Sequence, residues 1–226
     1  MLFDDASSQF LRKATAINAF SVSFWFKPDD LGIDSTMWCI SNAAGTAFFR
    51  VRLLGSSLSD RVEASYSTAG PPSEAFSVAG ATLNEWNHVY AARGILTSTP
   101  YVSLNGEALQ NGFTSAFSGT PTATQLGRRN SGVGTFNQYY SGQIAAFGAW
   151  DDCLNDYDDR WKSLYRGVPP WEIPADPSAS IALLNFVSDT KLMGNINDDV
   201  SGAAAWLTSS SPTVVADYPR IVRSAA

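Results

Sequence analysis

The sequence predicts an all-β fold: a two-sheet antiparallel jelly-roll sandwich with one short helix near residues 155–166. Three observations carry that expectation. Apolar and polar residues alternate with period two over many short runs, the pattern of half-buried strands. Clusters of Gly, Pro, Ser, Asn and Asp, such as residues 67–72 and 111–122, separate those runs. The 226 residues are 45% hydrophobic, 12% aromatic and only 16% charged, against about 25% charged for an average globular domain. That composition suits a large aromatic-filled core, and all-β domains of about 200–250 residues commonly form a single unit. One domain over residues 1–226 is therefore expected.

The first clear strand is residues 20–26, where Phe20, Val22, Phe24 and Phe26 share a face opposite Ser21 and Ser23, before Lys27-Pro28-Asp29-Asp30 stops it. Further strands are expected at 38–41, 47–54, 62–66, 87–92, 101–104, 123–126 and 143–150. Asn105-Gly106 supplies the positive φ angles of a two-residue hairpin turn. Residues 143–150 are apolar on both faces and read as a central strand buried on both sides. For the helix, Asn155 is the cap, Asp158 sits near the positive end of the dipole, and Tyr157, Trp161, Leu164 and Tyr165 share a face. Gly167 ends it, with Pro169 and Pro170 beyond. Residues 168–211 are expected to return as outer strands, at 181–187 and 204–207, and residues 212–226 to form an extended C-terminal arm.

The net charge of -6 repels phosphate backbones and anionic lipid, which argues against nucleic-acid and membrane-surface partners. No run is long and apolar enough for a membrane span or a cleaved signal. The two cysteines, Cys39 and Cys153, are too few for a disulfide framework or a cysteine zinc site. Cys39 reads as a buried free thiol, and a bridge to Cys153 is left open.

Four motifs in order, Phe20 to Pro28, Asn84-Glu85-Trp86-Asn87-His88-Val89-Tyr90, Val102-Ser103-Leu104-Asn105-Gly106 and Tyr140-Ser141-Gly142-Gln143-Ile144, resemble the laminin G-like branch of the concanavalin A-like lectin/glucanase domains. The resemblance extends over about residues 1–167, with Trp150-Asp151-Asp152-Cys153-Leu154 and the helix resembling the segment that closes the last large strand. Beyond it, Gly167-Val168-Pro169-Pro170 through Asp176, Leu183 to Phe186, Asp199-Val200-Ser201-Gly202 and Tyr218-Pro219-Arg220-Ile221 resemble a variant common in bacteriophage proteins. The likeness implies a many-stranded jelly roll and a virion surface setting. It also implies an aspartate often found after the Gly-Gln-Ile motif, where this chain has Ala145.

His88, the single histidine, has no companion histidine or cysteine cluster and reads as a packed imidazole between Trp86 and Tyr90. A retaining glucanase needs two carboxylates about 5–5.5 Å apart, yet Glu63, Glu74, Glu85, Glu107 and Glu172 are isolated along the chain, and no Gly-x-Ser-x-Gly elbow is present. Calcium is the one cofactor kept open, through Asp29, Asp30 and Asp34 or through Asp151 and Asp152; turn roles suit these residues better, and no cofactor is expected. Sugar binding needs aromatic faces beside Asn, Asp or Gln. Trp38, Phe136, Tyr139 and Tyr140 meet that requirement near an Asn- and Gly-rich loop.

The resulting expectation is a non-catalytic phage virion structural protein, a capsid decoration or other surface protein, made in the host cytoplasm without a signal peptide. Its partners are capsid or other virion proteins, with a homo-oligomer and host glycans also open. The alternative is a carbohydrate-binding module on a tail or head fibre, and the third reading is a glycan-cleaving enzyme. Arg128, Arg129, Asn130, Phe136, Asn137, Tyr139 and Tyr140 are the candidate surface-contact or glycan-binding residues.

Overall fold

The computed structural model describes residues 2–3, 5–13, 19–68, 71–94, 99–113, 122–132, 135–150, 153, 160–166, 180–184 and 207–209. In chain order its strands are β1 (Leu2–Phe3), β2 (Phe10–Lys13), β3 (Ser21–Pro28), β4 (Ser35–Ser41), β5 (Ala47–Leu53), β6 (Arg61–Thr68), β7 (Ser73–Gly80) and β8 (Asn87–Arg93). There follow β9 (Pro100–Leu104), β10 (Gln110–Asn111), β11 (Ala123–Leu126), β12 (Arg129–Gly132), β13 (Thr135–Asn137), β14 (Gly142–Trp150), β15 (Ser180–Leu184) and β16 (Leu207–Ser209). Among the described residues one α-helix, α1 (Arg160–Tyr165), falls between β14 and β15.

Two antiparallel sheets of seven strands form the sandwich. The first runs β1-β14-β3-β8-β9-β10, with β15 also paired to β14; the second runs β16-β2-β11-β4-β5-β6-β7. A separate hairpin joins β12 to β13. The expected two-sheet jelly roll is thus the observed architecture. Strand alternation explains why the sheets face each other as they do. Val22, Phe24 and Phe26 of β3 and Val89 and Ala91 of β8 point inward, against Phe49, Val51 and Leu53 of β5 and Val62, Ala64 and Tyr66 of β6. Burial of these side chains supplies the main favourable free energy, about 25 cal/mol per Å² of apolar surface.

The strand expected to be apolar on both faces is β14, and a bulge makes it so. Ala146 has a left-handed φ of 48°, and the pairing with β3 shifts between Ala145 opposite Trp25 and Gly148 opposite Ser23. The shift brings Ile144, Phe147 and Ala149 all into the core. Its other face lies under α1, where Trp150, Cys153, Trp161 and Leu164 pack with Tyr90 and Ala92 of β8. Trp161 stacks on Tyr90 with centroids 5.7 Å apart. This cover explains why Ser21 and Ser23, expected on an open face, are buried. Within the expected helix the described turns are Arg160–Tyr165; Asn155, Tyr157 and Asp158 lie outside the described residues.

The Asn-Gly turn forms as expected: Asn105 and Gly106 have φ of 51° and 75°, and Glu107 N–H donates to Leu104 O at 3.0 Å. Glycine is required there twice, since a Cβ on Gly106 would also run into the Tyr165 ring of α1. The strands beyond the turn then pair Gln110 with Val102, a bulge away from the register of an uninterrupted hairpin.

Several strands were not anticipated: β1, β2, β7, β10 and the β12–β13 pair. In β7 the polarity is inverted, because Ser73, Ala75 and Ser77 are buried while Phe76 is half-buried and Val78 is exposed. Ser77 Oγ accepts the Val62 N–H at 2.9 Å, so a serine fills the inward position. Of the returning strands expected at 181–187 and 204–207, residues 185–187 and 204–206 lie outside the described residues; those described are β15, beside β14, and β16, which begins at Leu207, beside β2. The arm at 212–226 lies outside the described residues.

Candidate functional site

On the outer face of the second sheet, the register aligns a row across six strands: Arg12, Gln125, Cys39, Arg50, Ser65 and Glu74 are successive cross-strand partners. Each alternates with core residues on its own strand, so the row is the sheet's polar side. A parallel pair, Arg52 opposite Glu63, lies next to it.

These groups form a buried charge network. Arg50 Nε donates to Ser65 Oγ at 2.7 Å, and its Nη2 is 3.5 Å from Glu63 Oε1. Arg52 Nη2 is 2.5 Å from Glu63 Oε2 and 3.9 Å from Glu74 Oε1, while its Nη1 is 3.2 Å from Asp34 Oδ2. Glu63 is fully buried between the two guanidiniums. Burial pushes the Arg50 pKa down to about 10; Glu63 opposes the shift, and Arg52 and Arg129 add to it. Burial would lower Arg52 as well, but the hydrogen bond and charge of Glu63, with Asp34 and Glu74, raise it overall. Glu74 is raised by burial and by the Glu63 carboxylate.

The residues leading into the β12–β13 hairpin lie against this face. The Arg129 guanidinium is 5.4 Å from the centroid of the Phe48 ring, and Arg50 is 4.6 Å from the same ring. After β13 the chain is tied to β4, where the Thr36 N–H donates to Gln138 O at 2.8 Å.

Among the sequence-derived candidates, Asn137 is exposed, and Arg129 and Tyr139 are half-buried at the rim of this face. Arg128 and Tyr140 are buried and leave the surface. Arg128 Nε donates to Gln125 Oε1 at 2.6 Å, and its guanidinium covers the Phe10 ring. Burial lowers its pKa to about 10, against the hydrogen bond and charge of Tyr139. Tyr140 packs edge-on to Phe3, so the aromatic doublet divides into one rim and one core residue. Trp38, an expected sugar-stacking aromatic, is instead core, packed edge-on to Phe49. The Asn130 and Phe136 backbones pair across the hairpin, and their side chains lie outside the described residues. Sequence reasoning missed Arg50, Arg52, Glu63 and Glu74. The signal was the charged alternation 50, 52 against 49, 51, 53, but cross-strand register brings the partners together, and a linear scan does not show it.

The remaining candidate chemistry resolves into structural roles. His88 is buried on the outer face of the first sheet, with Nε2 2.8 Å from Ser23 Oγ. Its ring packs on Trp25 and Tyr165, at 5.1 and 5.8 Å, rather than between Trp86 and Tyr90. Burial lowers its pKa to about 3, and among the described residues no carboxylate is hydrogen-bonded to the Ser23–His88 pair as a triad requires. Asp30 accepts the Gly32 N–H at 2.6 Å in a tight turn, and Asp34 is held by Arg52 and the Gly55 N–H. Among the described residues no group of three or more His, Cys, Asp or Glu is placed to hold a metal ion; Asp151 and Asp152 lie outside them. Cys39 and Cys153 are both free and buried, which settles the question of a bridge.

Comparison with known proteins bears on this geometry. A laminin G-type family model, described as the concanavalin A-like lectin/glucanases superfamily, matches residues 5–158. No curated protein sequence matches the chain. Among solved structures, a putative carbohydrate binding protein from Bacteroides ovatus superposes with a TM-score of 0.57 at 14% identity, over 89% of this chain and 56% of that one. A heptameric SAP-like pentraxin from Limulus polyphemus gives 0.52 at 14% identity, over 67% of this chain and 74% of that one. The CBM40 of the Ruminococcus gnavus IT-sialidase, bound to α2,3-sialyllactose, gives 0.52 at 12% identity, over 71% of this chain and 85% of that one. At these identities the similarity is one of fold.

Proposed function

The chain belongs to the concanavalin A-like lectin/glucanase superfamily, and from that premise we propose that it is a non-catalytic recognition module that binds glycan at the outer face of its second sheet. One observation carries the reading: over an arginine-rich sheet face whose own side chains are nearly all buried, the hairpin and the residues beside it place Arg129, Asn137 and Tyr139 at an accessible rim. A half-buried tyrosine offers an aromatic surface, and asparagine and arginine fix hydroxyls, which is the mix a sugar site needs. Two proteins of this fold carry glycan-binding descriptions, which supports the reading.

Catalysis is disfavoured by the state of the carboxylates. Glu63 and Glu74 lie on neighbouring strands, but Glu63 is enclosed by Arg50 and Arg52 with no exposure, so it cannot reach an anomeric carbon. A glycan panel should therefore show binding without release of new reducing ends. Release of reducing ends that is lost in Glu63→Gln would replace this reading with the glycan-cleaving one.

A second reading concerns setting. Residues beyond the family match contribute β15 and β16, one strand to each sheet. That agrees with the arrangement implied by the resemblance of the C-terminal stretch to the bacteriophage variant. It supports a virion surface subunit, a capsid decoration or fibre component that contacts other virion proteins. Mass spectrometry of purified particles tests it: presence at defined stoichiometry supports the assignment, and absence removes it.

A further inference from the structure

We infer that the outer face of the second sheet holds an oxyanion site between Arg50 and Arg129, so that the glycan recognised there is acidic, carrying a carboxylate or sulfate group. The inference deepens the glycan-binding reading and rests on it. Its basis is a mismatch between donors and acceptors.

Arg50 Nη1, Arg52 Nε and Arg129 Nε are all buried atoms with no hydrogen-bond partner. The Arg50 side chain is only 4% exposed. Leaving guanidinium N–H groups dry and unpaired is costly, and the cost is greater for a charged group than for a neutral one. The carboxylates nearby do not meet the demand. Glu63 is shared between Arg50 and Arg52, and its Oε1, 3.5 Å from Arg50 Nη2, is one unpaired acceptor against these three donors; Asp34 and Glu74 ion-pair with Arg52, and Glu74 acts on Arg50 only at longer range.

The positive excess thus lies at Arg50 and Arg129, whose guanidiniums approach the same Phe48 ring from β5 and β12. Two like charges meet there in a chain of net charge -6, and the Arg129 charge adds to the cost of holding Arg50 in its charged form. An oxyanion would relieve both effects, since a carboxylate or sulfate accepts two N–H bonds at once from a guanidinium fork. The accessible groups beside these guanidiniums are at the rim, where Arg129 is half-buried and Asn137 exposed.

The test is an array of matched glycans: uronic acid oligomers with their methyl esters, and sulfated oligomers with their desulfated forms. These are read with the wild type, Arg129→Gln and Arg50→Lys. The account expects acidic members to bind at least about tenfold more tightly than neutral counterparts. Arg129→Gln should erase that difference, high salt should narrow it, and the preferred acid class identifies the oxyanion. Equal binding of acidic and neutral members overturns the oxyanion site while the glycan reading stands. Absence of binding across the whole array overturns both. Should a variant fail to show a wild-type melting transition, the acidic-to-neutral ratio and salt dependence of the wild type decide alone.

Discussion

The Glu107 carboxylate, on the Asn-Gly hairpin of the first sheet, accepts the N–H groups of Val78 (2.8 Å) and Ala79 (3.2 Å) on β7, the edge strand of the second. One side chain thereby joins the two sheets and closes donors that an edge strand would otherwise present to another chain. Glu107→Ala should lower stability by about 1 kcal/mol, because water can replace the bonds in part. It should also promote association through β7, visible as concentration-dependent light scattering. Unchanged scattering and stability would show the contact to be incidental.

His88 makes the stability depend on pH in a defined direction. The unfolded chain takes up a proton near pH 6.5, whereas the folded imidazole, dry against Ser23 Oγ, resists protonation until about pH 3. The unfolded state therefore binds more protons within that window, and stability falls as pH drops from 6.5 toward 3. Urea titrations at pH 7 and pH 5 should show the loss, and His88→Gln should reduce it. An imidazole resonance titrating near 6.5 in the folded protein would contradict the burial.

At Gly106 both conformation and space exclude a side chain. Gly106→Ala should cost about 1–3 kcal/mol, part from the left-handed φ and part from displacement of Tyr165. Adding Tyr165→Ala should recover the steric part only, and a double-mutant cycle separates the two. Full recovery would mean that the turn itself carries no strain.

Much of the sandwich was legible because its strands alternate cleanly. The inward residues of β3, β5 and β6 are the large ones, and Asn105-Gly106 marks its own turn. β7 was not legible because it buries serines, leaves Phe76 half-buried and exposes Val78, the reverse of the usual signal. In the candidate site, the segment 128–140 was legible from its aromatic and polar mix, but its division into rim and core was not. Tyr139 and Tyr140 are adjacent, and only their placement sends one to the rim and the other against Phe3. The charge network was invisible for a related reason: Arg52 meets Glu63 through strand register, eleven positions away in sequence.

The C-terminal strands bear on domain organisation. We propose that the chain folds as one cooperative unit, since β15 pairs with β14 and β16 with β2. Truncation after residue 170 should lower the melting temperature by several degrees and remove pairing partners from both sheets. Limited proteolysis that yields a fragment ending near residue 170 with unchanged melting would show these strands to be separable.

The central claim is that the outer face of the second sheet is the working surface. The most direct measurement is an amide chemical-shift map of the labelled protein titrated with the tightest-binding oligosaccharide of the matched array. The account predicts perturbations clustered at Arg129, Asn137 and Tyr139 and extending to Arg50 and Ser65. Perturbations confined to the helix-covered face around His88, Trp25 and Tyr165, or none with any oligosaccharide, would contradict it.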